Sequence, residues 1–392
     1  MKRFFLSLSY FLSIFMLSGC WDRVEVNDIA IITATAIDLT EDKQIKVTAQ
    51  VFIPRALSGG GGMGTGGGDL TLIRKGIGIN LADAVSKLQM VLPRTIFWGQ
   101  CKVFIFGMGL AENGIRQQFD FLVRHPEPRG RAFMFVSKAD TEKVLQLLPP
   151  LERYSGEVLK ELLDFNIGLP VTMKDLDLML TSDAQNAVIP LINIYPPNKG
   201  KMEFESIPYI SGSALFSKDK MIGTIGEYET RGIMWIKNML KDSTISFKTG
   251  NEKEEISVGP VQSHVKLKPK ITKGAWKMSV KVRAEGDVIQ NETKLDLMDP
   301  ETIKKVEIDF EKNIKHRIEA ALDPLQKEFN LDIINFATEY HHHYPKEWKK
   351  VKNRWNEIFP KIEVSVDVEA YIRRPGYTST PSGLPKNEVK HE

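Results

Sequence analysis

The first twenty residues constrain this chain more than any other stretch. Met1-Lys2-Arg3 brings two positive charges, Phe4 to Leu17 is an apolar, serine-containing run, and Leu17-Ser18-Gly19-Cys20 ends it with two small residues and a thiol. A spanning helix needs roughly twenty apolar residues, so this shorter run with basic flanks reads as a secretory h-region. The small residues admit the chain to a peptidase as an extended strand, and the Cys20 thiol is the nucleophile that takes a diacylglyceryl thioether. The pattern is a bacterial lipobox. Residues 1–19 are expected to be a cleaved lipoprotein signal peptide, with diacylglycerol and palmitate-class acyl chains on Cys20. Each buried methylene contributes about 0.8 kcal/mol, so one acyl chain binds marginally and two anchor stably. The mature chain is expected to be tethered to a membrane surface, not to span it.

The anchor also settles the cysteine chemistry. With Cys20 in a thioether, Cys101 is left without a disulfide partner, and its surroundings, Gln100 to Phe106, read as a buried strand in which a thiol is a small apolar group. An exported chain without disulfides rests on its packed cores, and 392 residues suffice for two or three. Loss of Lys2 and Arg3 takes the net charge from +3 to about +1, which offers no electrostatic reason for a nucleic-acid partner.

Ala30 to Asp38 and Lys43 to Ile53 are β-branched segments that read as a hairpin, and the second alternates with period two, the pattern of a half-buried strand. The glycine-rich stretch Ser58–Gly68 reads as a flexible loop, because the lysine and hydroxyl residue of a phosphate cradle do not follow it. Asn80 and Asp140 are placed to cap helices, and strands around Val103–Phe106 and Ala132–Val136 alternate with them, which predicts an N-terminal α/β-like unit. Pro196 to Lys201 is a natural boundary. Beyond it, strands around Ile210–Phe216, Met221–Ile225, Trp276–Val282 and Ile362–Val368 flank a long helix from Pro300, whose Ile303, Val306, Phe310, Ile314, Ile318, Ala321, Leu325 and Phe329 form one stripe. The expected fold class is α+β and multidomain, with a C-terminal antiparallel sheet covered by that helix. The expected units are 20–197, 205–375 with a sub-domain cut near 260, and a disordered tail over 376–392.

Catalytic and cofactor motifs were sought residue by residue. Gly107-Met108-Gly109 follows a strand, but Glu112 stands where the dinucleotide fingerprint needs its third glycine. No Gly-x-Ser-x-Gly or His-Glu-x-x-His occurs. His341-His342-His343 is a run of neighbours whose rings point different ways, which favours a polar loop over a metal site. Trp348, Val351 and Trp355 share one face of a short helix after Pro345, a face for core packing or for a partner. Glu227, Glu229 and Arg231 sit at a helix start, where they can serve as capping and dipole partners or as contacts. Glu227, Glu229, Arg231, Trp348 and Trp355 are the candidate partner-contact residues.

Several ordered motifs carry a family resemblance. Gly19-Cys20-Trp21-Asp22, Arg94-Thr95-Ile96-Phe97-Trp98-Gly99, Phe119 to Arg124, Phe216 to Lys220, Glu229-Thr230-Arg231-Gly232, and Pro345-Lys346-Glu347-Trp348 with Trp355 to Pro360 resemble, in that order, the Ger(x)C family, the lipoprotein C subunits of spore germinant receptors. Gln100-Cys101 and the histidine run depart from the family pattern. The resemblance implies a non-enzymatic subunit, without a cofactor beyond its covalent lipid, on the outer face of the spore inner membrane. It implies membrane-spanning A and B subunits of the same receptor as partners, and nutrients as the trigger of germination. An extracytoplasmic solute-binding lipoprotein is the alternative; it would share the anchor but is usually built of two similar lobes, whereas the halves here differ in class.

Overall fold

The two β-branched segments at the start do pair. β1 (Ile29–Leu39) and β2 (Ile45–Phe52) are antiparallel, and β3 (Thr71–Gly78) adds outside β2. The computed structural model describes residues 25–54, 70–197, 199, 202, 204–240, 243–250, 252–376 and 383–390; the leader with Cys20 and the loop Ser58–Gly68 lie outside the described residues.

β4 (Thr95–Phe97) and β5 (Val103–Gly107) run parallel to β1, and β6 (Phe133–Ser137) and β7 (Asn186–Ile194) keep that direction. Parallel neighbours need crossovers. These are α1 (Leu81–Met90), α2 (Met108–Asn113), α3 (Arg116–Arg124), α4 (Thr141–Gln146), α5 (Ser155–Asp164) and α6 (Met173–Leu180). Asn80 and Asp140 cap α1 and α4 by accepting the Asp83 and Glu142 N–H groups. Helices on both faces explain why β5 is an unbroken apolar run. Phe104 and Phe106 pack with Leu88, Leu110 and Phe119, while Val103 and Ile105 pack with Val144, Leu145, Leu159 and Leu163.

The proline-containing boundary does not end this sheet. β8 (Pro208–Ser217) and β9 (Lys220–Ile225), expected in the second unit, turn back and pair antiparallel onto β7, giving the order β3-β2-β1-β5-β6-β7-β8-β9 with β4 beside β1. The reason is edge protection: β7 is buried over most of its length and would otherwise expose an apolar edge.

The second sheet has the order β10 (Ser243–Lys248), β11 (Glu255–Thr272), β12 (Ala275–Asn291), β13 (Glu363–Arg374). Its first three strands are antiparallel as expected, but β13 joins in parallel, because the long helix intervenes as a crossover between β12 and β13. Two N–H groups of β13, Ala370 and Ile372, donate to the carboxylates of Glu311 and Glu307 on that helix, which blunts the edge. Pro260 lies within β11, where the register shifts between Val258 and Gln262, so the expected sub-domain cut is a bulge in a continuous strand. Residues 383–390, expected in a disordered tail, lie against the Lys294–Asp296 segment, the Asp296 N–H donating to the Lys390 carbonyl at 3.0 Å.

α7 (Glu227–Ile236) and α8 (Pro300–Lys327) join the two sheets. α7 packs on β8, and α8 packs on β13 and β10 through Phe310, which stacks on Phe247 at 5.4 Å. Asp299 caps α8 by accepting the Thr302 N–H at 2.9 Å, and Val306, Phe310, Ile314, Ile318, Ala321 and Leu325 form its buried stripe. The helices cross at Gly232, where an added Cβ would lie 2.4 Å from the Arg317 carbonyl oxygen and 2.5 Å from the Ala321 Cβ. Overpacking such a contact costs about 1–3 kcal/mol. Gly232→Val should therefore lower the chemical-denaturation midpoint by that equivalent, whereas Gly109→Ala, with open space around the added methyl, should leave it unchanged or raise it by up to about 1 kcal/mol.

Candidate functional site

The first turn of α7 carries three of the expected contact residues. Glu227 and Arg231, one turn apart, form an exposed ion pair at 2.9 Å, and Glu229 is half-buried between them. The Arg317 guanidinium of α8 lies over the Tyr228 ring at 5.3 Å, and Tyr228 itself is 40% exposed. Burial lowers the Arg317 pKa, with nearby Arg231 acting in the same direction and Tyr228 against it. Exposed ion pairs contribute little to stability. The cluster is an exposed aromatic ring framed by two arginines and two carboxylates, a composition suited to protein contact. Tyr228 and Arg317 were not singled out from sequence, since their pairing joins residues 89 positions apart on two helices.

The two tryptophans belong elsewhere. Trp348 on α10 (Pro345–Val351), which follows α9 (Phe336–His343), and Trp355 at the start of α11 (Trp355–Ile358) are 1% and 2% exposed. The rings meet at 4.9 Å, and Trp355 also meets Trp276 at 5.8 Å and Tyr340 at 5.7 Å. Both expected contact residues are thus core residues, because their shared face folds inward onto β12 and α9. The Tyr340 hydroxyl donates to the Lys277 carbonyl at 2.6 Å, which fixes α9 against the sheet.

Beneath this aromatic cluster lies a buried carboxylate. Asp332 accepts from the Ile334, Phe336 and Ala337 N–H groups at 3.2, 3.1 and 2.6 Å and from the Trp355 indole at 3.0 Å. Burial raises its pKa, and these four donors oppose the rise. Its first three donors surround the start of α9, where Asn335 takes the left-handed φ of 67° that asparagine tolerates. Lys237, just past α7, donates to the Ile333 carbonyl at 3.2 Å; burial lowers its pKa, and Asp332 and Asp175 draw it back up. A cavity of about 260 Å³ opens here between α6, β7 and the start of α9, lined by Leu169, Met179, Asp175 and Lys237 among others. Its lysine faces carboxylates of both halves, so the charges serve chiefly to pin one half to the other.

The histidine run occupies the end of α9. His341 pairs with Asp183 at 2.6 Å and stacks on Trp348 at 5.8 Å, while His343 lies by Glu339. Among the described residues no group of three or more His, Cys, Asp and Glu side chains is placed to hold a metal ion. At the C-terminal edge of the parallel strands, where open α/β sheets take their ligands, Thr141 donates to Asp38 and Lys46 pairs with Asp38 at 3.5 Å. Burial raises the Asp38 pKa, against the pull of Thr141 and Lys46. Cys101 is buried, its Sγ 3.3 Å from the Val103 carbonyl, and burial pushes its thiol up to about 12.

Two family models match along this architecture. The model described as the spore germination protein N-terminal domain covers residues 22–194, and the one described as spore germination B3/GerAC like, C-terminal, covers residues 211–376. The chain belongs to the GerAC-like spore germination family. Spore germination protein KC of Bacillus subtilis (strain 168) is 26% identical over the whole of this chain and 98% of its own length. Spore germination proteins B3 and A3 of the same organism are each 22% identical, over 92% and 93% of this chain and 95% and 96% of their own. The crystal structure of the GerBC protein superposes with a TM-score of 0.59 at 19% identity, over 87% of this chain and 97% of that one, which shows the fold. The mixed α+β architecture, an α/β sheet followed by a second sheet with its helices, is the family's.

The burial pattern separates two classes of substitution. Trp348→Ala should cost about 3–5 kcal/mol of stability, whereas Arg231→Ala, an exposed change, should stay within about 0.5 kcal/mol. Thermal melting of both variants checks this. Native chain at pH 8 should leave Cys101 unalkylated by iodoacetamide, since the thiolate is the reactive form and burial suppresses it; alkylation should appear in denaturant.

Proposed function

We propose that this chain is a lipid-anchored, non-enzymatic subunit of a nutrient germinant receptor, held on the outer face of the spore inner membrane and acting by contact with membrane-spanning partner subunits in the triggering of spore germination. The observation that carries this reading is the end-to-end match to relatives named spore germination proteins KC, B3 and A3, each covered over at least 95% of its length. The lipobox at Leu17–Cys20 supports the anchor, and no helix among the described residues is long and apolar enough to cross a membrane. The exposed turn Glu227–Arg231 is the proposed partner contact, now with Tyr228 and Arg317 beside it, and its hydrogen-bonding and aromatic groups suit recognition without chemistry.

Two measurements test the anchor and the contact separately. Cys20→Ala should abolish incorporation of a fatty-acid probe and release the chain from the membrane fraction; equal labelling of wild type and variant would remove the lipobox reading. After denaturation the lipidated chain should present one alkylatable thiol, that of Cys101, and an unlipidated precursor two. Arg231→Ala should keep normal melting and abundance while losing membrane subunits on pull-down. If every variant of this turn that blocks germination also melts early, the turn is structural and the contact lies elsewhere.

A further inference from the structure

The lipid anchor leaves little freedom in how the folded body can stand on the bilayer. Five residue steps separate Cys20 from Glu25, and an extended chain spans at most about 3.3–3.6 Å per residue, so the first described residue lies within about 18 Å of the lipidated sulfur's backbone. From there the chain enters β1 at Ile29, which pairs with Thr95. Parallel pairing places the start of β1 beside the start of β4, while β5 and β6 start level with Ala34, further along β1 at the same end of the sheet. With Cys20 lipidated as proposed, that end of the sheet is where the tether enters the body.

Its surface has the composition an anionic bilayer would recognise. Met90 and Val91, at the end of α1, are 82% and 51% exposed, and Val26 just before β1 is 61% exposed. Gln89 ties this loop to β4: its side chain donates to the Arg94 carbonyl at 2.8 Å and accepts the Ile96 N–H at 2.9 Å. At the same end of the strands, on the face covered by α5, Lys102, Arg129 and Arg131 line a cleft of about 440 Å³ at the starts of β5 and β6. None of these three has an acidic side-chain partner among the described residues. The cleft's other charges neutralise each other, Lys160 pairing with Asp164. Glu127, which accepts the Trp98 N–H at 2.7 Å, Glu161, which shares Lys160 with Asp164, and the exposed Glu25 and Asp28 are the acids to set against these cations. Exposed apolar side chains next to unpaired lysine and arginine are the pairing that seats a peripheral protein in anionic headgroups, and it supplies the second signal that strengthens a lipid anchor.

We infer that the N-terminal edge of the parallel strands, with Met90, Val91, Lys102, Arg129 and Arg131, lies against anionic phospholipid headgroups and fixes the orientation of the anchored body. The inference rests on the anchor proposed above. A rival basic surface exists on the outer face of the β11–β12 hairpin, with Lys266, Lys268, Lys270 and Lys281, but it belongs to the second sheet and faces the acidic row Glu363, Asp367 and Glu369 of β13.

The test uses the full lipidated chain, reconstituted into phosphatidylcholine vesicles with and without phosphatidylglycerol. A bimane label is placed in turn at Met90→Cys, Arg131→Cys and Lys268→Cys, and quenching by a nitroxide lipid is read. Labels at positions 90 and 131 should be quenched several fold more than the label at 268. The charge reversal Arg129→Glu with Lys102→Glu should abolish the phosphatidylglycerol-dependent part of the quenching at 90. Quenching at 268 instead, or protection at 90 that appears only when membrane subunits are added, would overturn the orientation. Acyl labelling of the same sample separates the failures. A labelled chain that floats with position 90 unquenched overturns this inference alone; an unlabelled chain that stays in solution overturns the anchor and the orientation together.

Discussion

Where α7 crosses α8, helix backbones approach so closely that a single methyl group on Gly232 would collide with the Arg317 carbonyl. α7 belongs to the first sheet and α8 to the second, so this contact makes one continuous core of two sheets with different connectivity. Interiors are close-packed and tolerate little added volume, and a chain whose described cysteine is a buried free thiol has no covalent link to hold its halves if the packing fails. The apolar stripe of α8 and the tryptophan cluster of α9 to α11 extend the same core along the second sheet.

Electrostatics reinforces the junction. Asp332, four times hydrogen-bonded, lies at the base of α9, and Lys237 from the end of α7 reaches the neighbouring Ile333 carbonyl. A buried carboxylate is tolerated when its acceptor positions are filled and a cation lies near. Asp332 takes its four donors from its own half, whereas Lys237, 95 residues earlier, finds its acceptor, the Ile333 carbonyl, only when both halves are assembled. His341 with Asp183 adds a second polar link between the halves.

These interior demands sort the surface by function. The two tryptophans expected at a partner surface are consumed by the core, and of the expected contact residues only those at the start of α7 remain at the surface, with Tyr228 and Arg317 beside them. The C-terminal edge of the parallel strands is closed by Asp38, Thr141 and Lys46, while the opposite edge keeps unpaired cations beside exposed Met90 and Val91. If the chain is anchored as proposed, the basic and apolar end of the sheet lies near its tether, and the Asp38, Thr141 and Lys46 contacts lie at the opposite end.

The pairing of the first two strands, the capped helices after Asn80 and Asp140, and the long stripe of α8 were legible in the sequence, because propensity, alternation and capping are local; the burial of β2 on both faces, Thr48 and Gln50 included, was not, because the covering helices come from distant segments. The lipobox pattern is equally local, but Cys20 lies outside the described residues and its lipidation stands as a proposal. The allegiance of β8 and β9 was not legible: a proline-containing break looks the same whether the next strands begin a new sheet or finish the old one, and only the exposed apolar edge of β7 decides. The fate of Trp348 and Trp355 had the same character, since an amphipathic helix does not say which surface covers it. Sequence by itself determined most of the elements, because caps and apolar periodicity are local. Tertiary structure alone decided which faces were left for partners, because burial depends on contacts between residues that the chain holds far apart.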